Sequence, residues 1–199
     1  MRRLLSFHAL LVYLFLYLPI LVVVALSFNE SRRGVHFTGF TLKWYQGLFQ
    51  DPRVLEYFAN TLVVALVSTL VSTVLGTLLA LGLVRYRFPG KGFLRYLLYV
   101  PVVVPDVVMG VSLLLLFAFS RELLGFPRLS LLTVILGHIT FQVAFVTLVV
   151  RSRLLLLDPA LEEAARDLGA RGFQTFLHVT LPLAWPGVAA GALLALTLF

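Results

Sequence analysis

The 199-residue chain contains no cysteine and only 13% charged residues. Without cysteine there is no disulfide framework and no thiolate metal site, and the redox state of its compartment leaves no mark on the sequence. Nor is there a G-x-x-x-x-G-K-[ST] segment, which excludes nucleotide hydrolysis by that loop. His178 has no second histidine or carboxylate beside it at metal-ligand spacing and reads as a surface or packing residue. Asp106 has no second aspartate at the spacing of a G-x-G-D-like pair, so an intramembrane acid-base enzyme lacks half of its machinery. The scarcity of charge is matched by 60% hydrophobic residues and a mean hydropathy of +1.00. A soluble domain carries about 25% charged residues, so this composition belongs to an integral membrane protein. The net charge of +7 would suit nucleic acid in a soluble protein. Here the basic residues stand almost entirely between apolar runs, as in loops that flank lipid, and no nucleic-acid partner is implied.

Five apolar runs, at about residues 9–28, 59–84, 96–119, 129–150 and 183–199, read as transmembrane helices of one all-α polytopic bundle. Arg2 and Arg3 before the first run favour a cytoplasmic N-terminus. A cleaved signal peptide ending near Ala25-Leu26-Ser27 is the alternative, although the run is longer than a signal core. The loop 29–57, with Gly34, Gly39 and Pro52 as breakers, reads as external with short helical turns. Ten of the 16 Lys and Arg fall before the first run, between the second and third, and between the fourth and fifth; six fall in the other two loops. That bias puts segment 158–182 on the cytoplasmic side.

Polar and small residues inside the apolar runs mark internal contacts. Ser68, Ser72, Gly76 and Ala80 recur every four residues and form a close-packing seam for another helix. Pro101 and Pro105 remove backbone donors, so the third run should be kinked or broken. Asp106 follows Arg95 by 11 residues, about 16 Å of continuous helix, which sets it near mid-bilayer. A carboxylate there should face a cavity or a partner, or cap the helix that resumes after Pro105. His138 is expected to make a helix-helix hydrogen bond rather than a substrate contact.

Segment 158–182, DPALEEAARDLGARGFQTFLHVTLP, is charged and rich in small residues. Asp158 can cap a helix of about three turns with Pro159 in its first position, Glu162 and Glu163 near its positive end, and Gly169 as its stop. Leu161, Ala164, Ala165 and Leu168 share one apolar face, with Glu162, Glu163, Arg166 and Asp167 mainly away from it. Phe173, Phe176 and Leu177 open a second apolar stripe that Pro182 should end. An interfacial helix lying on lipid is the alternative, which the alanines disfavour because they supply little apolar area.

Glu163-Ala164-Ala165, three residues, Gly169, nine residues and then Val179-Thr180-Leu181-Pro182 resemble the EAA loop of ABC importer permease subunits. Phe40-Thr41-Leu42-Lys43-Trp44-Tyr45 resembles a pattern that often precedes the second span in that family. The runs from Val104 to Gly110 and His138 to Phe141, with Leu161 to Gly169 and Gln174-Thr175-Phe176, look like spermidine/putrescine permeases. The resemblance implies a type I importer permease in a bacterial inner membrane, forming part of the path of a polyamine or of another small solute such as an opine, iron or sulfate. It implies ATPase coupling through Glu162, Glu163, Ala164, Ala165, Gly169, Leu181 and Pro182, and a substrate path past Asp106. The implied partners are ABC ATPase subunits that use ATP and Mg²⁺, a second permease subunit, an external solute-binding protein and membrane lipid; this chain itself would bind no cofactor. Such permeases continue to a sixth span and to further acidic residues, so the chain reads as truncated in its fifth span and as poorly stable alone. A non-transport anchor would explain the truncation but not the EAA spacing.

Overall fold

A computed structural model describes residues 2–31 and 36–199, excepting the side chains of Arg2 and Arg3. The role assigned to Gly34 and the contacts of the two N-terminal arginines lie outside the described residues. Five helices are long and apolar enough to cross a membrane: Leu4–Ser27, Pro52–Arg85, Asp106–Leu124, Leu131–Leu155 and Gly172–Thr197. The all-α expectation therefore holds, with Asn29 and Phe40 forming an isolated antiparallel bridge.

The chain divides into two compact units, Met1–Ala59 and Asn60–Phe199. In the first, helix α1 (Arg2–Ser27) is followed by a knot around Asn29, a fully buried residue. Its Oδ1 accepts the Thr38 amide at 2.9 Å, and its Nδ2 donates to the His36 carbonyl at 2.6 Å. The Trp44 indole donates to the Asn29 carbonyl at 2.9 Å, and Phe28 stacks on Phe40 at 5.4 Å between centroids. Trp44 thus ties helix α2 (Lys43–Gln50) to the end of α1.

Helix α3 (Pro52–Arg85) starts at Pro52 rather than near residue 59. Asp51 Oδ1 accepts the Arg53 amide at 2.9 Å, so the residue read as a breaker occupies the first helical position, where its missing N–H costs nothing.

The second unit is built on helix α7 (Leu131–Leu155) packed along helix α10 (Leu181–Thr197), with the small-residue stripe of α3 against α7. Ser68, Ser72 and Ala80 are fully buried, and Gly76 lies so close to α7 that a Cβ there would stand 2.7 Å from Val146 Cβ. The predicted seam is thus satisfied within this chain. Ser72 donates to Gln142 Oε1 at 3.2 Å, and Gln142 Nε2 donates to the Ala195 carbonyl at 3.0 Å. Around this polar bridge Ala80, Val146, Val150, Leu154, Ala184, Val188 and Ala195 form the core. Large side chains such as Leu66, Leu70 and Leu78 point outward, as expected where lipid is the solvent.

The third apolar run is broken twice, into α4 (Lys91–Leu97), α5 (Val100–Val103) and α6 (Asp106–Leu124). The fifth span begins at Gly172 rather than 183, since α9 (Gly172–Thr175), a π turn (Phe176–Thr180) and α10 run on as one helix. Pro182 does not end that helix. The Leu181 amide reaches the Phe176 carbonyl, one residue further than an α-helical bond, and this wider turn admits the proline ring just inside α10.

Candidate functional site

Helix α8 (Ala160–Asp167) has eight residues, shorter than expected, and starts one residue late: Pro159, expected in its first position, is the N-cap, and Asp158 precedes it. The Asp158 carboxylate accepts the Ala160 amide at 3.0 Å. At the other end Gly169 adopts φ +89°, with Gly169 N–H on the Arg166 carbonyl and Ala170 N–H on that of Ala165. This is a Schellman stop, in which any other L-residue would place its Cβ in a disfavoured conformation. The chain then turns at Arg171, whose amide donates to Gln174 Oε1 at 2.8 Å and opens α9.

Burial on α8 departs from the sequence expectation at Glu162 and at the two leucines, while Glu163, Arg166 and Asp167 are exposed as expected. Leu161 is 48% and Leu168 90% exposed, whereas Glu162 is 8% exposed. Arg85, the last residue of α3, approaches Glu162 Oε1 with Nε at 3.1 Å and Nη2 at 2.9 Å. The Thr180 hydroxyl donates to the same oxygen at 2.9 Å, and Arg166 Nη2 lies 3.8 Å from Oε2. A buried carboxylate requires such compensation, and here one oxygen receives it from two distant elements. Arg85 stands 77 residues from Glu162, so no helical periodicity could have revealed the pairing.

The other residues assigned to coupling separate into two groups. Glu163 and Ala164 lie on the exposed side, Ala165 is half-buried, and α8 packs against α9 and the π turn. Leu181 packs against the core cluster, and Pro182 is exposed at the start of α10. Leu181 is therefore a packing residue of the fifth span. Phe173 and Leu177 extend the exposed apolar surface beyond α8. His178, exposed as expected, contacts the Gln174 carbonyl of its own helix at 3.0 Å.

Asp106 departs from both depth and capping expectations. The breaks after Leu97 and Val103 invalidate a 16 Å rise from Arg95, and Asp106 opens α6, a helix about 28 Å long. It is the first helical residue, not the cap, and its carboxylate makes no capping hydrogen bond. Exposed, it lines a cavity of about 340 Å³ with Met109, Phe117, Thr133, His138 and Phe141. His138 makes a ring contact with Phe199, just past the end of α10, at 4.8 Å between centroids, rather than the expected helix-helix hydrogen bond. The cavity thus joins a carboxylate to aromatic walls, a combination that accommodates an organic cation.

The match to known proteins covers nearly the whole chain. Residues 72–199 match the family described as "Binding-protein-dependent transport system inner membrane component". The chain is 43% identical over 187 residues to the spermidine/putrescine transport system permease protein PotC of Escherichia coli (strain K12), covering 94% of this chain and 69% of that protein. It is 40% identical over 191 residues to the putrescine transport system permease protein PotI of the same strain, covering 95% and 68%. A bacterial ABC transporter crystallised as an importer of the polysaccharide alginate shares the fold, with a TM-score of 0.74 and 18% identity over 98% of this chain and 72% of that one. The broken third run, the Gly169 stop and the five long helices thus belong to a permease subunit of the ABC importer type, and the chain is a member of the binding-protein-dependent transport system inner membrane component family.

Proposed function

We propose that the chain carries a polyamine across the inner membrane, driven by a separate ATPase that docks on α8 and the residues following it. The observation that carries the coupling reading is the burial pattern of α8. One face is held to the chain through Glu162, while Leu161 and Leu168 on the other are exposed, ready for a cytoplasmic groove. The basic bias of the loops supports a cytoplasmic position for α8 and the N-terminus. In this reading ATP and Mg²⁺ act in the ATPase, a second permease subunit completes the path, and an external binding protein delivers the solute. Closure of the ATPase dimer moves α8 and switches the path between inward-facing and outward-facing states.

Similarity to PotC and PotI supports a polyamine over other small solutes, and Asp106 with its aromatic neighbours supports a cationic one. In the assembled importer, Glu163→Arg and Gly169→Pro are expected to abolish ATP-dependent uptake; unchanged uptake would refute the coupling role. Asp106→Asn is expected to weaken the apparent affinity for spermidine or putrescine at matched expression. If affinity and rate both match wild type, Asp106 is no part of the path.

A further inference from the structure

The interaction at Glu162 does more than bury an acid. Its Oε1 gathers Arg85 from the end of α3 and Thr180 from the π turn that leads into α10, so three separate segments meet at one atom. Arg85 and Glu162 side chains are only 19% and 10% exposed, which shields the pair from the solvent screening that makes surface ion pairs ineffective. By contrast Arg166, at 3.8 Å and 59% exposed, adds little. Elsewhere α8 is lightly held: Leu161 and Leu168 are exposed, and its acidic neighbour Glu163 is also exposed. Its packing is on α9 and the π turn, which follow it in sequence, and the Glu162–Arg85 pair ties it to α3 as well.

We propose that Glu162 is a positioning residue which, with Arg85 and Thr180, latches α8 to the end of the second span and to the π turn within the fifth, so that a displacement of α8 moves both together. This rests on the reading of α8 as the ATPase contact. The π turn fits the role, since it turns Thr180 toward Glu162 immediately before α10 begins. The chemistry also makes the latch specific: two donors from different helices share one carboxylate oxygen, so losing either leaves a buried charge with half its compensation.

The test uses the complete importer in liposomes, with its binding protein and putrescine, reading uptake and ATP hydrolysis on the same preparation. Arg85→Glu sets two carboxylates against each other; uptake per ATP is expected to fall about tenfold while the ATPase remains assembled. Glu162→Arg should do the same, and the double exchange Arg85→Glu with Glu162→Arg should recover most of the ratio. Thr180→Val, which removes one donor and keeps the shape, should give a smaller fall. If uptake and hydrolysis decline in parallel with the amount of assembled complex, the pair serves stability alone and the proposal is overturned. Failure of the exchange to restore the ratio overturns it equally. Glu163→Arg in the same assay separates the two ideas: a loss of uptake there with an unaltered ratio in Arg85→Glu rejects the latch and keeps the docking role. No loss in Glu163→Arg rejects the docking role itself.

Discussion

Two glycines on α3 differ only in what faces them, and replacing each by alanine measures how tightly the bundle is closed. At Gly76 a Cβ would stand 2.7 Å from both Val146 Cβ and Cγ1 and 3.2 Å from the Thr147 amide nitrogen; at Gly82 nothing lies within 4 Å. Val146 Cβ cannot rotate away, so Gly76→Ala has to separate α3 from α7 or shift their register. Overpacking of this kind costs about 1–3 kcal/mol. Both substitutions also gain about 1 kcal/mol of helix propensity, so that term cancels in the comparison. Gly82→Ala is therefore expected to stabilise by up to about 1 kcal/mol, and Gly76→Ala to be neutral or to destabilise by about 2 kcal/mol. Reversible unfolding of the purified permease in mixed detergent micelles, titrated with dodecyl sulfate and followed by circular dichroism, reports the difference. Equal shifts for the two variants would show that α3 and α7 do not approach as described, and the Ser68, Ser72, Gly76, Ala80 seam would lose its meaning.

Two further outcomes follow from buried polar groups. Gln142→Leu keeps the volume but removes the acceptor of Ser72 and the donor to the Ala195 carbonyl; it should cost about 1 kcal/mol in the same titration, most of it recovered by adding Ser72→Ala. In the first unit, Asn29→Ala should speed amide exchange at Thr38 by about tenfold or more, because that amide donates to Asn29 Oδ1, while exchange within α3 of the second unit stays unchanged.

Much of this architecture is legible in local sequence because local rules decide it. Spacing by four along α3 placed the seam, Asp158 and Gly169 marked the ends of α8, and Pro101 and Pro105 broke the third run. The departures share a cause as well. Pro52 was read as a breaker but opens α3, where proline is compatible, with Asp51 before it as the available signal; Pro182 was read as a stop but lies within the continuous fifth span. At Pro182 the compensation is a π turn, which five ordinary helical residues do not advertise. Asp106 was given a depth from a continuous helix, although the same prolines already argued against continuity. Glu162 was singled out from the sequence, but its burial could not be read there, because what buries it comes from Arg85 and Thr180.

The burial pattern of α8 follows from which solvent each face meets. Inside the bilayer lipid tails are as apolar as leucine, so helices pack by small and polar residues and turn their large side chains out; α3 and α10 obey this. Helix α8 lies outside the candidate spans, where the ordinary rule for water would bury Leu161 and Leu168 and expose Glu162. It does the opposite: fully burying a leucine is worth about 1.5–3 kcal/mol, most of which is forgone at Leu168, 90% exposed, and about half at Leu161, 48% exposed. Such a deficit is tolerable where a partner supplies the missing surface. An amphipathic pattern in the sequence therefore identifies two faces of α8 without saying which residue the chain keeps, and Arg85 decides that by holding Glu162. Leu161 and Leu168 stay exposed, so the ion pair that anchors the helix also sets which residues it presents outward.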